Sequence, residues 1–149
     1  MPLCVKLFRQ RWYMVGRNWP AGRDIVFCHD RIRNIRPSSH TFEYPEEFNP
    51  QEYFNGCIGV IPGDGCDIEN IKIKVSANQA NYLRDLPLHH SQQEIEQTDE
   101  YSIFELHVRP TYDFQQELLW NGEDLEVLKP LWLRKEITLM INRMCNKYN

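Results

Sequence analysis

The chain lacks the features that mark a zinc centre, a disulfide framework or a membrane span. Its five cysteines are odd in number and widely scattered, and no Cys-x-x-Cys pair occurs. This pattern favours buried free thiols in a reducing cytoplasm. No apolar run approaches the roughly 18 residues that span a bilayer. The N-terminal residues also lack the basic-then-apolar order of a signal peptide, so the sequence predicts a cytoplasmic protein with no membrane partner.

Signatures of catalysis and of cofactor binding are missing as well. The glycine-rich stretch 56–65 contains no Gly-Lys-Ser or Gly-Lys-Thr and therefore does not predict a phosphate-binding loop. Cys28 and His29 are neighbours on a predicted strand, where successive side chains point to opposite faces, so they do not form a nucleophile and its base. His89 and His90 fail as metal ligands for the same reason. We therefore predict no enzyme activity, no catalytic residue, no metal and no cofactor.

Charge is present but unevenly distributed. Residues 1–36 carry eight basic and two acidic side chains, a net charge of +6, whereas residues 37–149 carry nine basic and nineteen acidic ones, a net charge of −10. Seven of the eight N-terminal cations are Arg, and they are interleaved with Phe8, Trp12, Tyr13, Trp19 and Phe27. Arginine forks pair with phosphate, and aromatic rings stack on bases. The segment therefore predicts a site for an anion or a nucleic acid; the alternative is a solvated basic surface that protects sheet edges.

Candidate contacts come from the predicted strands of this basic segment. Residues 3–8, 11–15 and 25–29 form a small antiparallel meander, and the last strand signal runs on through 31–35. Arg9, Arg11 and Tyr13 share one parity, as do Arg31 and Arg33, and their convergence in space is an assumption. The candidate phosphate contacts are Arg9, Arg11, Arg31 and Arg33, and the candidate stacking contacts are Tyr13 and His29.

The rest of the chain predicts a second architecture. A short acidic helix is expected at 50–55, with Asn49 as its cap. Strand and helix patterns then follow in the order βαββαβ, and apolar residues at helical spacing near the end predict a C-terminal amphipathic helix. This order is typical of a ferredoxin-like α+β sandwich.

Several segments resemble one known family. The stretch 11–14, Arg-Trp-Tyr-Met, is similar to the tripeptide that names the WYL domain, with Met in place of Leu. The stretch 30–32, Asp-Arg-Ile, resembles the Asp-Arg-Ile of that family, and 48–59 looks like the segment that leaves its barrel. The stretches 79–92 and 128–144 resemble the C-terminal extension often called WCX.

The resemblance implies an incomplete SH3-like or Sm-like antiparallel β-barrel over 1–41. Trp12 and Met14 share the apolar parity of their strand and are therefore expected in the barrel core. The resemblance also implies a linker with a short helix over 42–56 and a ferredoxin-like WCX extension over 57–149. WYL domains usually follow a winged helix-turn-helix in bacterial transcription regulators and are thought to sense ligands. The expected function is therefore a ligand-sensing, homo-oligomeric regulatory module that binds single-stranded nucleic acid, a nucleotide or another small anion.

Two departures from the family pattern modify this expectation. The chain shows no helix-turn-helix segment, so binding of duplex DNA is not expected from these residues. It also begins about where the second barrel strand of the family would, which is consistent with a truncated relative, a misassigned start or a fragment. Ile25 stands where many members place an Arg.

The alternative function is a protein-protein interaction module whose incomplete barrel is completed by a partner strand.

Overall fold

The computed structural model of the chain describes residues 1–18, 20–63 and 65–149; Trp19, one of the aromatic residues of the basic segment, and Asp64 lie outside the described residues. The chain divides into two compact units. Unit 1 comprises Met1–Asn55 and Gly59–Pro62, and unit 2 comprises Gly56–Ile58 and Gly63–Asn149. The described residues form helices and two antiparallel sheets, and they close no barrel, which confirms the predicted α+β class with an incomplete barrel.

Unit 1 is built on an antiparallel sheet of three strands in sequential order. The strands are β1 (Pro2–Phe8), β2 (Arg11–Arg17) and β3 (Asp24–Cys28). Arg9 and Gln10 connect β1 to β2 as a two-residue turn with φ values of 46° and 64°, the left-handed backbone that tight hairpins use. After Cys28 the chain leaves the sheet through a turn of 3₁₀ helix at His29–Arg31. The predicted continuation of this strand beyond Cys28 is therefore wrong.

The segment 49–54 is held against β1 by a contact between Phe54 and Lys6. Asn49 caps α1 (Pro50–Tyr53) by accepting hydrogen bonds from the backbone of Gln51 and Glu52, as its side chain predicts. Tyr53 and Phe54 make an edge-on ring contact at 4.9 Å. The ammonium group of Lys6 lies 4.0 Å from the centroid of the Phe54 ring and donates to the carbonyl of Gly59 at 2.7 Å. This cation–π contact fastens the segment to the sheet.

Unit 2 has the predicted ferredoxin-like topology and C-terminal helix. Its elements are β4 (Glu69–Ser76), α2 (Ala77–Asp85), β5 (Gln93–Gln97), β6 (Tyr101–Val108), α3 (Tyr112–Trp120), β7 (Leu125–Lys129) and α4 (Leu131–Cys145). The strands lie in the order β5-β6-β4-β7, and every neighbouring pair is antiparallel. Among the helices of the described residues, none is both long enough and apolar enough to cross a membrane.

The hydrophobic core of unit 2 forms between one face of its sheet and the helices. Alternate residues of β4 and β6 point into it because successive strand side chains face opposite ways. Its fully buried large side chains are Ile71, Ile73, Val75, Phe104, Leu106, Val108, Phe114, Leu118 and Leu133. The other face of the sheet is polar: Lys72 pairs with Glu105 at 3.2 Å.

A loop before β4 closes around Arg109. The Arg109 guanidinium donates to the carbonyls of Gly63 and Cys66, and its backbone N–H donates to the carbonyl of Gly56 at 2.7 Å. A Cβ atom on Gly63 would overlap the Cδ atom of Arg109. Gly63 is therefore required because the loop backbone runs directly against the Arg109 side chain.

A Gly63→Ala substitution should lower the free energy of unfolding by about 1–3 kcal/mol, because the new methyl group displaces a hydrogen-bonded side chain. Urea unfolding monitored by circular dichroism measures this. In an Arg109→Ala background, Gly63→Ala should lower the free energy of unfolding much less, because the Arg109 side-chain atoms that the new methyl group would overlap are absent. An equal loss of unfolding free energy in the two backgrounds would show that Arg109 is not the reason that Gly63 is required.

A salt bridge joins α2 to the exposed edge strand β5. Arg84 donates to both carboxylate oxygens of Glu94, at 2.6 and 3.0 Å, and also to the hydroxyl of buried Ser102 at 3.0 Å. The hydrogen bonds from Arg84 lower the pKa of Glu94 below its ordinary value. Ionised Glu94 therefore adds stability above the pKa of an unfolded Glu, about 4.3, and this contribution is lost as the pH falls through the lower pKa of the folded state.

A Glu94→Gln variant should thus be less stable than the parent near neutral pH, and the difference should shrink as the pH falls below about 4. Urea unfolding midpoints of the parent and Glu94→Gln, measured across this pH range, show whether the stability difference shrinks as the pH falls. Glu136→Gln, on an exposed position of α4, is the matched control and should show no such convergence. A difference for Glu94→Gln that stays constant with pH would exclude the linkage.

Candidate anion-binding site

An open groove follows the outer edge of β3 within unit 1. Its volume is about 800 Å³, within the range of pockets that hold small ligands. Its walls come from β2 and β3, from the turn after β3 and from the segment 60–62. The lining residues are Tyr13, Asp24, Ile25, Val26, Phe27, Cys28, Arg31, Ile32, Arg33, Val60, Ile61 and Pro62.

The groove brings together three of the six predicted contact residues. Tyr13 lies directly opposite Cys28 in the β2–β3 register, and Arg31 and Arg33 reach the same groove from the segment that follows. They meet here because the 3₁₀ turn redirects the chain after β3, so strand parity no longer determines where the later side chains lie.

The other three predicted residues do not line the groove. Arg9 sits at the tip of the β1–β2 hairpin, with its guanidinium carbon 5.6 Å from the Phe8 ring centroid. Arg11 lies 3.8 Å from the carboxylate of Asp30, and His29 is an exposed residue of the 3₁₀ turn. None of these three residues is among those that line the groove.

The carboxylates nearest to the groove are already paired. Arg17 donates two hydrogen bonds to Asp24, at 2.7 and 3.1 Å. Asp30 accepts a hydrogen bond of 2.5 Å from the thiol of Cys28. That hydrogen bond, and next the charge of Arg11, lower the pKa of Asp30, so Asp30 stays ionised and partnered. The negative charge at this end of the sheet is largely compensated.

Arg31 and Arg33 carry the positive charge of the groove. Both are exposed, and neither forms a side-chain hydrogen bond or ion pair with another described residue, although Arg31 exerts an electrostatic effect on Asp30. Their guanidinium groups are therefore available to an anion at the groove mouth. A guanidinium binds a phosphate or carboxylate through two parallel hydrogen bonds.

The apolar wall of the groove is the part that the sequence did not reveal. Ile25, Val60, Ile61 and Pro62 supply it. The apolar run at 58–62 was the available signal, but it belongs to no strand or helix. Ile25 contributes apolar surface to this wall. The arrangement suits a molecule with an anionic end and an apolar or aromatic body.

Among the described residues, no group of His, Cys, Asp and Glu side chains is placed to hold a metal ion. The Cys28 thiol donates a hydrogen bond to the Asp30 carboxylate and not to a ring nitrogen.

Comparisons with known proteins place the C-terminal part of the chain, which lies outside the groove, in a family. The sequence model of the WCX domain matches residues 67–145, more than half of the chain. No curated protein matches the sequence. Among solved structures, proteasome accessory factor B/C (PafBC) of Arthrobacter aurescens is similar, with 18% identity and a TM-score of 0.39; the match covers 91% of this chain and 20% of that one. The chain thus spans about a fifth of the length of that protein. From the match over 67–145 we conclude that the chain belongs to the WCX domain family, as its resemblance to WYL-type regulators with this extension predicted.

Proposed function

We propose that the chain is a ligand-sensing module of a WYL-type transcriptional regulator and that the unit 1 groove binds an anionic ligand. Membership of the WCX family supports the regulatory class. One observation carries the ligand proposal: Tyr13, Arg31 and Arg33 converge on a single groove of about 800 Å³. The two guanidinium groups would hold the anion, and the tyrosine ring and the apolar wall would hold its body.

The groove favours a compact ligand over a long strand. Its volume corresponds to one small molecule such as a nucleotide. A single-stranded oligonucleotide would have to leave the groove to reach Arg9 and Arg11, which lie on the hairpin. The two ligand classes therefore predict different sensitivities: a nucleotide depends on Arg31 and Arg33 alone, whereas an oligonucleotide also uses Arg9 and Arg11.

Binding can act as a signal only if it favours one conformation of a larger assembly. In a complete regulator, a ligand that binds one arrangement of the attached domains more tightly would shift the population toward that arrangement. The groove is open and lies at the edge of a small sheet, so a ligand there would bridge β3 to the segments 31–33 and 60–62 and order them together.

Fluorescence polarisation with a fluorescent adenine nucleotide and with a labelled oligothymidylate of roughly ten nucleotides tests the proposal. Replacing Arg31 or Arg33 by Gln should weaken binding about tenfold or more, because each change removes charge-assisted hydrogen bonds. Binding should also weaken steeply with added salt.

Arg143→Gln, on α4, removes the same charge elsewhere and should leave the affinity unchanged. Loss of oligothymidylate binding on replacing Arg9 and Arg11, with nucleotide binding retained, would identify the strand as a second ligand. Absence of binding to either probe at low salt would refute the anion proposal.

A second candidate function is a protein-protein interaction module, and the sheet of unit 1 supplies the observation that favours it. Within the described part of the chain, β2 is the single strand neighbour of both β1 and β3, so a partner strand could add at either edge of the sheet. In this reading the incomplete barrel is extended by a strand of another molecule.

Hydrogen exchange tests the strand-pairing function. Strand addition should slow the exchange of the outward-facing amides of β1 or β3 as the protein concentration rises, because each would gain a carbonyl partner. Amides of the central strand β2 are the internal control, since both of its neighbours are already present. Exchange in β1 and β3 that is independent of concentration, and unchanged on adding cell extract, would exclude it.

A further inference from the structure

The groove of unit 1 runs along the edge of a strand. Its lining includes all five residues of β3, Asp24–Cys28. In the part of the chain that the structure describes, β3 pairs with β2 and with no other strand. Its second side therefore presents a row of backbone N–H and C=O groups. A ligand in the groove can bind these backbone groups as well as the side chains.

Hydrogen bonds at the end of β2 show which residues of β3 present those groups. Arg17 donates its N–H to the Met1 carbonyl at 2.8 Å and accepts from the Met1 amine at 3.1 Å. The backbone of Arg17 thus points away from Asp24, its partner in the β2–β3 register. Hydrogen-bonded and non-bonded pairs alternate along an antiparallel ladder. Because this register is continuous, Asp24, Val26 and Cys28 all direct their N–H and C=O groups toward the outer edge.

The outward groups of β3 are accessible. Among the described residues, none forms a backbone hydrogen bond with the outward groups of Val26 or Cys28. Both residues are partly exposed, so solvent or a ligand can bind there. The Cys28 thiol donates to Asp30 and leaves the backbone N–H of Cys28 for another acceptor.

The Val26 carbonyl and the Cys28 N–H place an acceptor beside a donor on one edge. They come from alternate residues of one strand, so they point in the same direction. The complementary ligand edge has an amino group next to an unprotonated ring nitrogen, as adenine has at N6 and N1. Backbone groups of this kind commonly fix the orientation of a ligand in its pocket.

Apolar side chains lie beside this edge for the faces of a base. Ile61 and Pro62 line the groove, and Phe27 lines it from β3 and is 39% exposed. A planar base suits such surroundings because its edge forms hydrogen bonds while its faces stack. Trp12 lies on the same face of the sheet as Met14 and Phe27 and is 52% exposed, so the prediction of a core position is wrong for Trp12.

We propose that the edge of β3 recognises the base of a nucleotide whose phosphate Arg31 and Arg33 hold. The Val26 carbonyl accepts from the exocyclic amino group, and the Cys28 N–H donates to the neighbouring ring nitrogen. This inference rests on the anion-binding function proposed for the groove and adds the ligand class, a nucleotide with an adenine-type edge. Since the base covers the β3 edge, a partner strand could then add only at β1.

Isothermal titration calorimetry at low salt with three probes tests the base contact. Adenosine 5′-monophosphate should bind about three- to tenfold more tightly than purine riboside 5′-monophosphate, which lacks only the amino group and so loses one hydrogen bond. Ribose 5-phosphate reports on the phosphate site alone. Equal affinities for the two nucleotides would overturn the base contact and leave the anion site in place. Failure of all three probes to bind would refute the anion site itself.

Cys28→Pro removes the backbone donor. The N–H of Cys28 takes no part in the sheet, and its φ of −79° is close to that of proline, so the fold should tolerate the change. Cys28→Ala, which removes the thiol and keeps the N–H, is the reference variant. Cys28→Pro should bind adenosine 5′-monophosphate about tenfold more weakly than this reference but bind ribose 5-phosphate equally well. Equal affinity of both variants for the nucleotide would overturn the proposal.

Hydrogen exchange of the parent chain gives a readout that needs no variant. Saturating adenosine 5′-monophosphate should slow the exchange of the Cys28 amide and leave the amides of β1 unchanged. Exchange at Cys28 that the nucleotide leaves unaltered would contradict the base contact. Slower exchange along β3 that follows protein concentration and ignores the nucleotide would assign the edge to a partner strand, and this too would overturn the proposal.

Discussion

Strand register decides which side chains of unit 1 share a face: the two-residue turn at Arg9 and Gln10 joins β1 to β2, and the pairing of β2 with β3 places Tyr13 at the groove. Side chains alternate along a strand, so a slip by one residue would exchange the faces of the whole strand. A slip of one residue between β2 and β3 would move Tyr13 from its place opposite Cys28 and turn the neighbouring side chain toward the groove. The placement of Tyr13 on one face of the unit 1 sheet and of Trp12 and Met14 on the other is thus set by strand register.

Pairing of carboxylates determines the electrostatic character of the groove more than the number of its arginines does. Asp24 and Asp30 lie close to it, but Arg17 and Arg11 respectively compensate them. Arg11 and Arg17 of the basic segment pair with these two acids. Arg31 and Arg33 form no ion pair with another described residue. The net charge of residues 1–36 overstates what an anion would meet at the site itself.

Much of the fold could be predicted from the sequence because its signals are local. Alternation along β4 and β6, the side-chain cap at Asn49 and helical spacing near the C-terminus each depend on residues a few positions apart. The site was only partly predictable because it is not local. The 3₁₀ turn at His29–Arg31 ended the alternation on which the choice of His29 depended. The apolar wall at 60–62 comes from a segment without regular structure, and only the folded chain brings it beside β3.

The chain does not pass from unit 1 to unit 2 at a single point. Gly56–Ile58 belong with unit 2, Gly59–Pro62 return to unit 1, and from Gly63 onward the chain stays in unit 2. A unit 1 fragment that ended at residue 55 would therefore lack Val60, Ile61 and Pro62 and would lose one wall of the groove. It would also lose the Gly59 carbonyl that accepts the hydrogen bond of Lys6. Unit 1 is thus discontinuous in sequence, and a single cut there cannot isolate it intact.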